Sequence, residues 1–513
     1  MRNRCASTRG SRLVFQIALA VIVLGFVPLG CGLGEPYHRP TAEIPDAWHW
    51  TQDSAPPQDA VNGAWWNVFK DPKLDELEPI ALEANQDLKA AVGRVDEARA
   101  LARIAKADFF PELSASFQPT RNEQSVRTFI PGGFDASRLH VPYNQYNLRA
   151  DFSYEIDVWG RIRHQNRAAV DRAEATVADF QAVQLTVTSD VALNYFLLRS
   201  LDAQVAVLVR TKGVREASLK LVESQFKLGA VDRLDVARAQ TNLLTTIATL
   251  TDLQRQREQV VNVIAILCGK PASNLNIAPK PLSEAPPEIP AGVPSQLLER
   301  RPDVVRAEIT LMAACEDIAV AKTAFFPRFS LTANGGVSSE ELSHLLTWPA
   351  FAWQLAGNIM QPIFSGGRNK ANLEASRARY TQAQAAYLEQ ILTAFKDTED
   401  ALIEIKYRAE QGKFIGDAVK SAAEATKIAT TKYEKGQVSY LDVVEAQREQ
   451  LDVELQAALV LGQRLAGTVR LIKAIGGGWH SGASDALPAP GTPKPDAPKA
   501  AAPAPVPDAA PAK

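Results

Sequence analysis

Metal-ligand spacing, paired cysteines and a basic excess are all missing from this chain of 513 residues. Its six histidines, His38, His49, His140, His164, His344 and His480, are scattered without the close pairing a metal site needs. Four cysteines exclude a disulfide scaffold, and Cys268 and Cys315 fall in helical patterns where they read as small packing residues. A net charge of −2 argues against nucleic acid as a partner, because phosphate neutralisation calls for a basic excess. Gly476-Gly477-Gly478 ends a helical pattern instead of opening a phosphate loop, and no catalytic constellation is present, so neither enzyme activity nor a bound cofactor is expected. The most informative scarcity is local. Of 32 prolines, none lies between Pro142 and Pro271 and none between Pro362 and Pro488, so the two windows can hold very long helices.

What is present begins with an address. Arg2, Arg4, Arg9 and Arg12 precede an apolar run from Leu13 to Val27, which fits a secretory signal and is short for a membrane-spanning helix. The run stops at Pro28-Leu29-Gly30-Cys31. A small residue followed by Cys resembles a bacterial lipobox, although Pro28 stands where an aliphatic residue is usual. Lipidation would make Cys31 the mature N-terminus and a covalent lipid anchor; ordinary cleavage near Gly30 would leave a free thiol there.

The chain is written twice. Ala105-Lys106-Ala107-Asp108-Phe109-Phe110-Pro111 returns as Ala321-Lys322-Thr323-Ala324-Phe325-Phe326-Pro327, an offset of 216, and Asp87 maps to Asp303 by the same step. Beyond this point the offset is 207: Gly160-Arg161 maps to Gly367-Arg368, Gly229 to Gly436, Leu234-Asp235-Val236 to Leu441-Asp442-Val443, and Gly269 to Gly476. The first copy therefore carries a longer loop between the two sets of landmarks.

Each copy predicts an entering helix, a long helix and a return helix. The long ones span about Ile162 to Leu228 and Asn369 to Lys435, roughly 100 Å each at 1.5 Å per residue. Ala173, Val177, Phe180, Val187, Val191, Tyr195 and Leu198 form one narrow coiled-coil seam; Tyr387, Ile391, Ala394, Leu402 and Ile405, preceded by Ala371, Ala375 and Ala378, form the other. Glycine suits the left-handed position that closes a helix, so Gly229 and Gly436 predict reversals into return helices from Asp235 to Cys268 and Asp442 to Ile475. The entering helices run from Asp87 to Ala107 and Asp303 to Thr323. An entering and a return helix stacked beside one long helix fall about 12 residues short of it, a step of about 18 Å that Pro-rich segments such as Pro271 to Pro302 could fill.

Between entering and long helices the period changes to two. Leu148, Ala150, Phe152, Tyr154 and Ile156 alternate with Arg149, Asp151, Ser153, Glu155 and Asp157, giving one apolar and one charged face over the length of a tilted membrane strand. Its partner is Leu113 to Gln118; Phe329 to Asn334 and Phe351 to Met360 form the second hairpin. Phe129, Tyr146, Trp348 and Trp353 lie where an interfacial aromatic girdle would form. A soluble two-layer sheet alternates as well. If this is a membrane sheet, four strands cannot close a barrel, and an open edge in lipid leaves backbone groups unpaired, so the barrel must be shared between chains. Two chains give eight strands and three give twelve; the charged inner face favours the larger lumen.

In this order the landmarks resemble the outer membrane factor family, the TolC-like and OprM-like channels of efflux pumps and type I secretion systems, in its NodT-type lipoprotein branch. The matching segments are Cys31 with Pro36-Tyr37-His38-Arg39-Pro40, Trp65-Trp66-Asn67-Val68-Phe69-Lys70-Asp71-Pro72, Leu298-Glu299-Arg300-Arg301-Pro302-Asp303, Ala321-Lys322 with Phe325-Phe326-Pro327, Phe364-Ser365-Gly366-Gly367-Arg368, and Tyr440-Leu441-Asp442-Val443 with Ala446-Gln447. The resemblance implies a mainly α chain with a membrane β portion. Three chains make an α-helical barrel and share a twelve-stranded β-barrel in the outer membrane, reaching into the periplasm. It implies as partners a periplasmic adaptor and an inner-membrane transporter of the RND type. It places a periplasmic gate at Asp442 and Glu445, ringing the axis, and at Asp235 with Tyr433, holding hairpins together; Val438 departs from the basic residue some relatives carry nearby. Ser439 and Asp442 also read as a capping box, a reading compatible with pore lining. The tips Gly229 to Leu234 and Gly436 to Leu441 would receive the adaptor.

The chain divides into a signal peptide (1–30), an anchored and equatorial segment (31–86), a first repeat (87–270), a Pro-rich equatorial linker (271–302), a second repeat (303–479) and a Pro/Ala-rich tail (480–513). Two other readings are a type I secretion duct and, from a different class, a soluble periplasmic coiled-coil scaffold.

Overall fold

The structure, a computed structural model, describes residues 34–50, 63–123, 142–282, 286–287, 289, 294 and 300–477. Cys31, the signal segment, Phe129 and the tail from Pro488 lie outside the described residues. The helices are α1 (Pro72–Ala84), α2 (Gln86–Ala107), α3 (Arg161–Lys227), α4 (Arg233–Leu267), α5 (Pro302–Thr323), α6 (Arg368–Glu434) and α7 (Tyr440–Ala474). The strands are β1 (Glu112–Asn122), β2 (Tyr143–Ile156), β3 (Arg328–Ser339) and β4 (Phe351–Met360). Both long helices have 67 residues, roughly 100 Å; the bounds of the six expected helices lie within two residues of expectation, whereas β1, β2 and β3 each run four or five residues further at one end.

Local chemistry sets these ends. Gly160, at φ 84°, turns β2 into α3, and the Asp157 carboxylate accepts from the amides of Ile162 and Arg163, satisfying two donors that the first helical turn leaves open. Gly269 and Gly476 end the return helices at φ 62° and 93°. A Cβ on either would lie 2.3 Å from a carbonyl oxygen, that of Ala84 or Arg300, so each site needs glycine for space as well as for conformation.

The sheet order is β1-β2-β3-β4, antiparallel throughout. Leu113 faces Phe152, Phe117 faces Leu148, Leu331 faces Tyr154 and Ala333 faces Leu355, so one whole face is apolar. That face is bare in a single chain: Leu113 is 74% exposed, Trp353 72% and Ile359 67%. A contiguous apolar face of this size marks a membrane or partner surface.

The repeat is structural. Glu112 pairs with Ser153 and Arg328 with Met360, positions related by the same offsets of 216 and 207 read from the sequence. Asn85 Nδ2 donates to the Leu267 carbonyl at 2.9 Å, and its image, Arg301, reaches the carbonyl of Ala474. The start of each entering helix thus meets the end of each return helix. Helices of 22 and 35 residues total ten fewer than the 67 beside them, yet their ends are brought together by these contacts, with the equatorial segments packed around the junction. The described part of the Pro271 to Pro302 segment packs at this level, through Leu275, Ile277, Leu282 and Ile289, together with segments from the N-terminal part of the chain. In the first repeat Trp65, Trp66, Phe69, Leu74 and Leu77 pack there against Val191, Tyr195 and Phe196, with Ile277 as the linker's buried contribution. In the second, Trp48 packs on Phe395 beside Ile391 and Leu402.

Candidate functional site: the periplasmic tips and the strand face

Both reversals form at glycine. Gly229 has φ 74° and Gly436 φ 71°; the amides of Ala230 and Gln437 return to the carbonyls of Gln225 and Lys432, the six-to-one closure of a Schellman motif. Beyond them Leu228, Leu234 and Leu441 are exposed, Leu228 at 81%. Leu234 and Leu441 are images of each other, so each tip presents one bare leucine at the same helical position.

A small core of Val222, Ala239 and Tyr440, with Tyr433 and Val236 against it, joins the two hairpins above the tips. Tyr433 and Tyr440 pack with ring centroids 5.5 Å apart and ring planes tilted by 55°. The Tyr433 hydroxyl donates to Gln225 Oε1 at 2.5 Å. Asp235 is a neighbour of this pair and not its hydrogen-bond acceptor. Burial first, and the Asp235 carboxylate second, push the Tyr433 phenol above its ordinary range, so the hydroxyl stays a proton donor at neutral pH. Asp235 itself leans towards Arg238 at 3.6 Å. Gln225 was not legible as a functional residue, since a Gln on a polar helix face carries no signal by itself.

Ser439 and Asp442 form the expected capping box: the Ser439 amide and hydroxyl both donate to Asp442 Oδ2, at 2.9 and 2.7 Å. These bonds, the hydroxyl's first, hold the Asp442 carboxyl below its ordinary range. Glu445 lies one turn on, and both carboxylates are solvent-exposed, while Val443 between them is buried. In a single chain the two acids therefore occupy the free face of α7, available to a central axis.

Two buried charged clusters escaped the sequence reading. Arg215, packed between α3 and α4, donates to the Asn242 carbonyl at 2.8 Å and to Thr246 Oγ1 at 2.5 Å. Asp202 accepts from Arg199 at 2.6 Å, from Arg257 at 2.7 Å and from the Lys280 amide at 3.0 Å. Their one signal is an arginine at a position where the helical seam is otherwise apolar. Among the described residues no group of His, Cys, Asp and Glu is placed to hold a metal ion.

Residues 78–270 and 293–477 match the outer membrane efflux protein family. The chain is 34% identical over 418 residues to OpmQ of Pseudomonas aeruginosa, a pyoverdine export outer membrane protein, covering 81% of this chain and 88% of that protein. It is 31% identical over 459 residues to the outer membrane protein OprJ of the same organism, covering 88% and 94%. The fold matches the Campylobacter jejuni CmeC outer membrane channel with a TM-score of 0.82 at 25% identity, covering 88% of this chain and 96% of that one. With both repeats accounted for in these comparisons, the chain belongs to the outer membrane efflux protein family, and it is an outer-membrane channel component of an efflux pump.

Proposed function

We propose that three copies of this chain form a passive, lipid-anchored duct that a periplasmic adaptor and an inner-membrane transporter of the RND type open at the tips. The observation that carries this reading is the four-stranded sheet with an apolar face and two open edges, set on a rod of roughly 100 Å. Hydrocarbon does not tolerate an unpaired strand edge, so β1 and β4 must find partners, and three copies supply a lumen wide enough for the polar face of Arg149, Asp151, Ser153 and Glu155. The duct has no chemistry of its own to perform; transport work comes from the transporter.

Lipidation of Cys31 fits the placement of the segment after it. Gly34 sits on His164 and Ala319, close to the membrane end of α3 and α5. Glu35 pairs with Lys322 and Arg39 with Glu308, so the strap from 34 to 50 runs along the rod from this point to Trp48 at the equator. This course of the described segment supports a lipid anchor ahead of it. The exposed leucines of the tips suit the apolar contacts of an adaptor, and Asp442 with Glu445 would ring the closed end. Relatives bear names tied to pyoverdine, toluene and antibiotics. Such variety on one duct fits selection of the cargo by the pump.

The test is reconstitution of the full chain. Purified protein should run as a trimer by native mass, carry acyl chains that vanish in Cys31→Ser, and conduct in planar bilayers. A monomer that salt washes from outer membranes would overturn the duct in favour of a scaffold.

A further inference from the structure

The two repeats are not equally covered. The strap from 34 to 50 lies along the second: Gly34 rests on Ala319, the Cys315 thiol points at the Glu35 carbonyl, and Tyr37 and Trp48 join the cluster that holds Tyr380 and Leu388. Under the offsets of 216 and 207 these four residues of α5 and α6 become Arg99, Arg103, Ala173 and Gln181 of α2 and α3. All four line one groove of about 620 Å³, with Val170 and Glu174 of α3 and Ile309 of α5, and it stands open among the described residues. The groove is therefore the first repeat's copy of the strap's bed. Ala173 stands where the bed has the Tyr380 ring, and Arg99 and Arg103 where it has Cys315 and Ala319, so this copy is roomier and more basic.

We infer that the chain's own C-terminal segment, residues 478–493, lies in this groove with Asp485 between Arg99 and Arg103. The seat lies within a single copy and stands independently of the duct reading.

Three observations converge on this occupant. The first is where the described chain stops. A Cβ on Gly477 would lie 2.3 Å from Leu185, so the chain leaves the end of α7 against that side chain. Leu185 shares one stripe of α3 with Glu174, Ala178 and Gln181, at helical steps of three and four. The exit is thus about one turn from the groove and on its side of the helix.

The second is reach. The hairpin between α2 and α3 makes them run in opposite directions, and Arg94 pairs with Asp179 across them at 3.5 Å. Counting from that pair sets Arg99 level with Glu174, about 17 Å along α3 from Leu185. Asp485 follows Gly477 by eight residues, about 25 Å in the polyproline II form, which leaves length to cross onto α2.

The third is chemistry. From Gly478 to Pro493 the sequence has one formally charged side chain, Asp485, with the apolar Trp479 and Leu487 on either side of it. The groove offers the complement: two arginines against the single acid Glu174, over a floor that includes Val170, Ala173 and Ile309. Pro488, Pro490 and Pro493 favour an extended chain, as Pro36, Pro40 and Pro45 do in the strap, which crosses its bed without helix or strand. Because no strand pairing holds the strap, a bed of this kind does not fix the direction of its occupant.

Thiol labelling of the full chain reads the contact. Val170→Cys stands in the groove, and its reaction with a maleimide is followed on its own peptide by mass spectrometry, so native cysteines do not interfere. A tethered segment acts at an effective concentration of about 1 mM, so a Kd of about 0.1 mM already slows labelling about ten-fold relative to a chain ending at Gly478. Cys268 is buried and should stay unreactive in both chains, which reports that the shortened one is folded. In the full chain, Arg99→Glu with Arg103→Glu should speed labelling of Val170→Cys, and adding Asp485→Arg should slow it again. Equal rates in full and shortened chains overturn the inference: both fast means a bare groove, and both slow means that a neighbouring copy or another partner covers it. Labelling that stays slow through the arginine reversals overturns the placement of Asp485.

Discussion

Arg257 Nε donates to Asp202 Oδ1 at 2.7 Å, across the seam between the first long helix and its return. Asp202 is wholly buried and also holds Arg199, while both arginines reach on to the carbonyls of Ile277 and Ala278. One carboxylate thereby fastens two helices and the linker between repeats at the equator. Removing one member of a buried ion network leaves the others charged and unpaired, at about 3–5 kcal/mol. Asp202→Ala is expected to lower the thermal midpoint and expose the linker to protease, with Asp202→Asn intermediate because it keeps an acceptor. Melting and limited proteolysis of both variants check this; an unchanged Asp202→Ala would mean that water repairs the site.

At the tip, Tyr433→Phe removes the donor to Gln225 and leaves the ring contact with Tyr440 in place. A neutral hydrogen bond of about 1 kcal/mol corresponds to about a five-fold shift in a closed-to-open ratio. Tyr433→Phe and Gln225→Leu should each raise single-channel open time by about this factor, and the double variant by no more than either alone. Additive effects would show that the two side chains act separately.

Asp442 serves a cap and, in our proposal, a ring. Its carboxyl is held low by Ser439, so the cap's contribution is present above the unfolded carboxylate range and is lost as pH falls through the lower folded value. Ser439→Ala should move the acid limb of the conductance–pH curve upward. Asp442→Ala with Glu445→Ala should abolish cation preference in reversal-potential measurements; a selectivity unchanged from wild type would remove both residues from the pore.

Glu78 on α1 is fully buried, and neither carboxylate oxygen has a hydrogen-bond partner among the described residues. Burial pushes its carboxyl up to about 9. The folded state holds this proton across a range in which the unfolded chain has lost it. Stability is therefore full below the ordinary Glu range and falls as pH rises towards the folded value, by up to about 1.4 kcal/mol per pH unit. Glu78→Gln should flatten the pH dependence of denaturant unfolding between pH 5 and 9, and Glu78→Leu should stabilise at pH 8. A wild-type slope retained in Glu78→Gln would assign the dependence to other groups.

Much of the architecture was legible because it is local or periodic. The helix ends at Gly229 and Gly436, the Ser439 to Asp442 cap and the alternation from Leu148 to Ile156 depend on neighbours within a few residues. The duplicated landmarks needed only counting, and their offsets reproduce the strand register. The hydrogen-bond acceptor of Tyr433 did not follow in this way: the resemblance named Asp235 as a contact, and Asp235 is a charge neighbour, but the acceptor is Gln225, 208 positions away.

The sequence by itself determined the repeat, the rod of long helices and a sheet with one apolar face, since periods of 3.6 and 2 fix which side chains share a face. Tertiary structure alone decided what packs at the equator and which groups lock it. Trp48 and Trp65 reach across from segments far away in the chain, and Asp202 gathers two arginines whose nearness depends on how α3, α4 and the linker pack. Such contacts are set by the meeting of elements in space, and no local pattern along the chain encodes them.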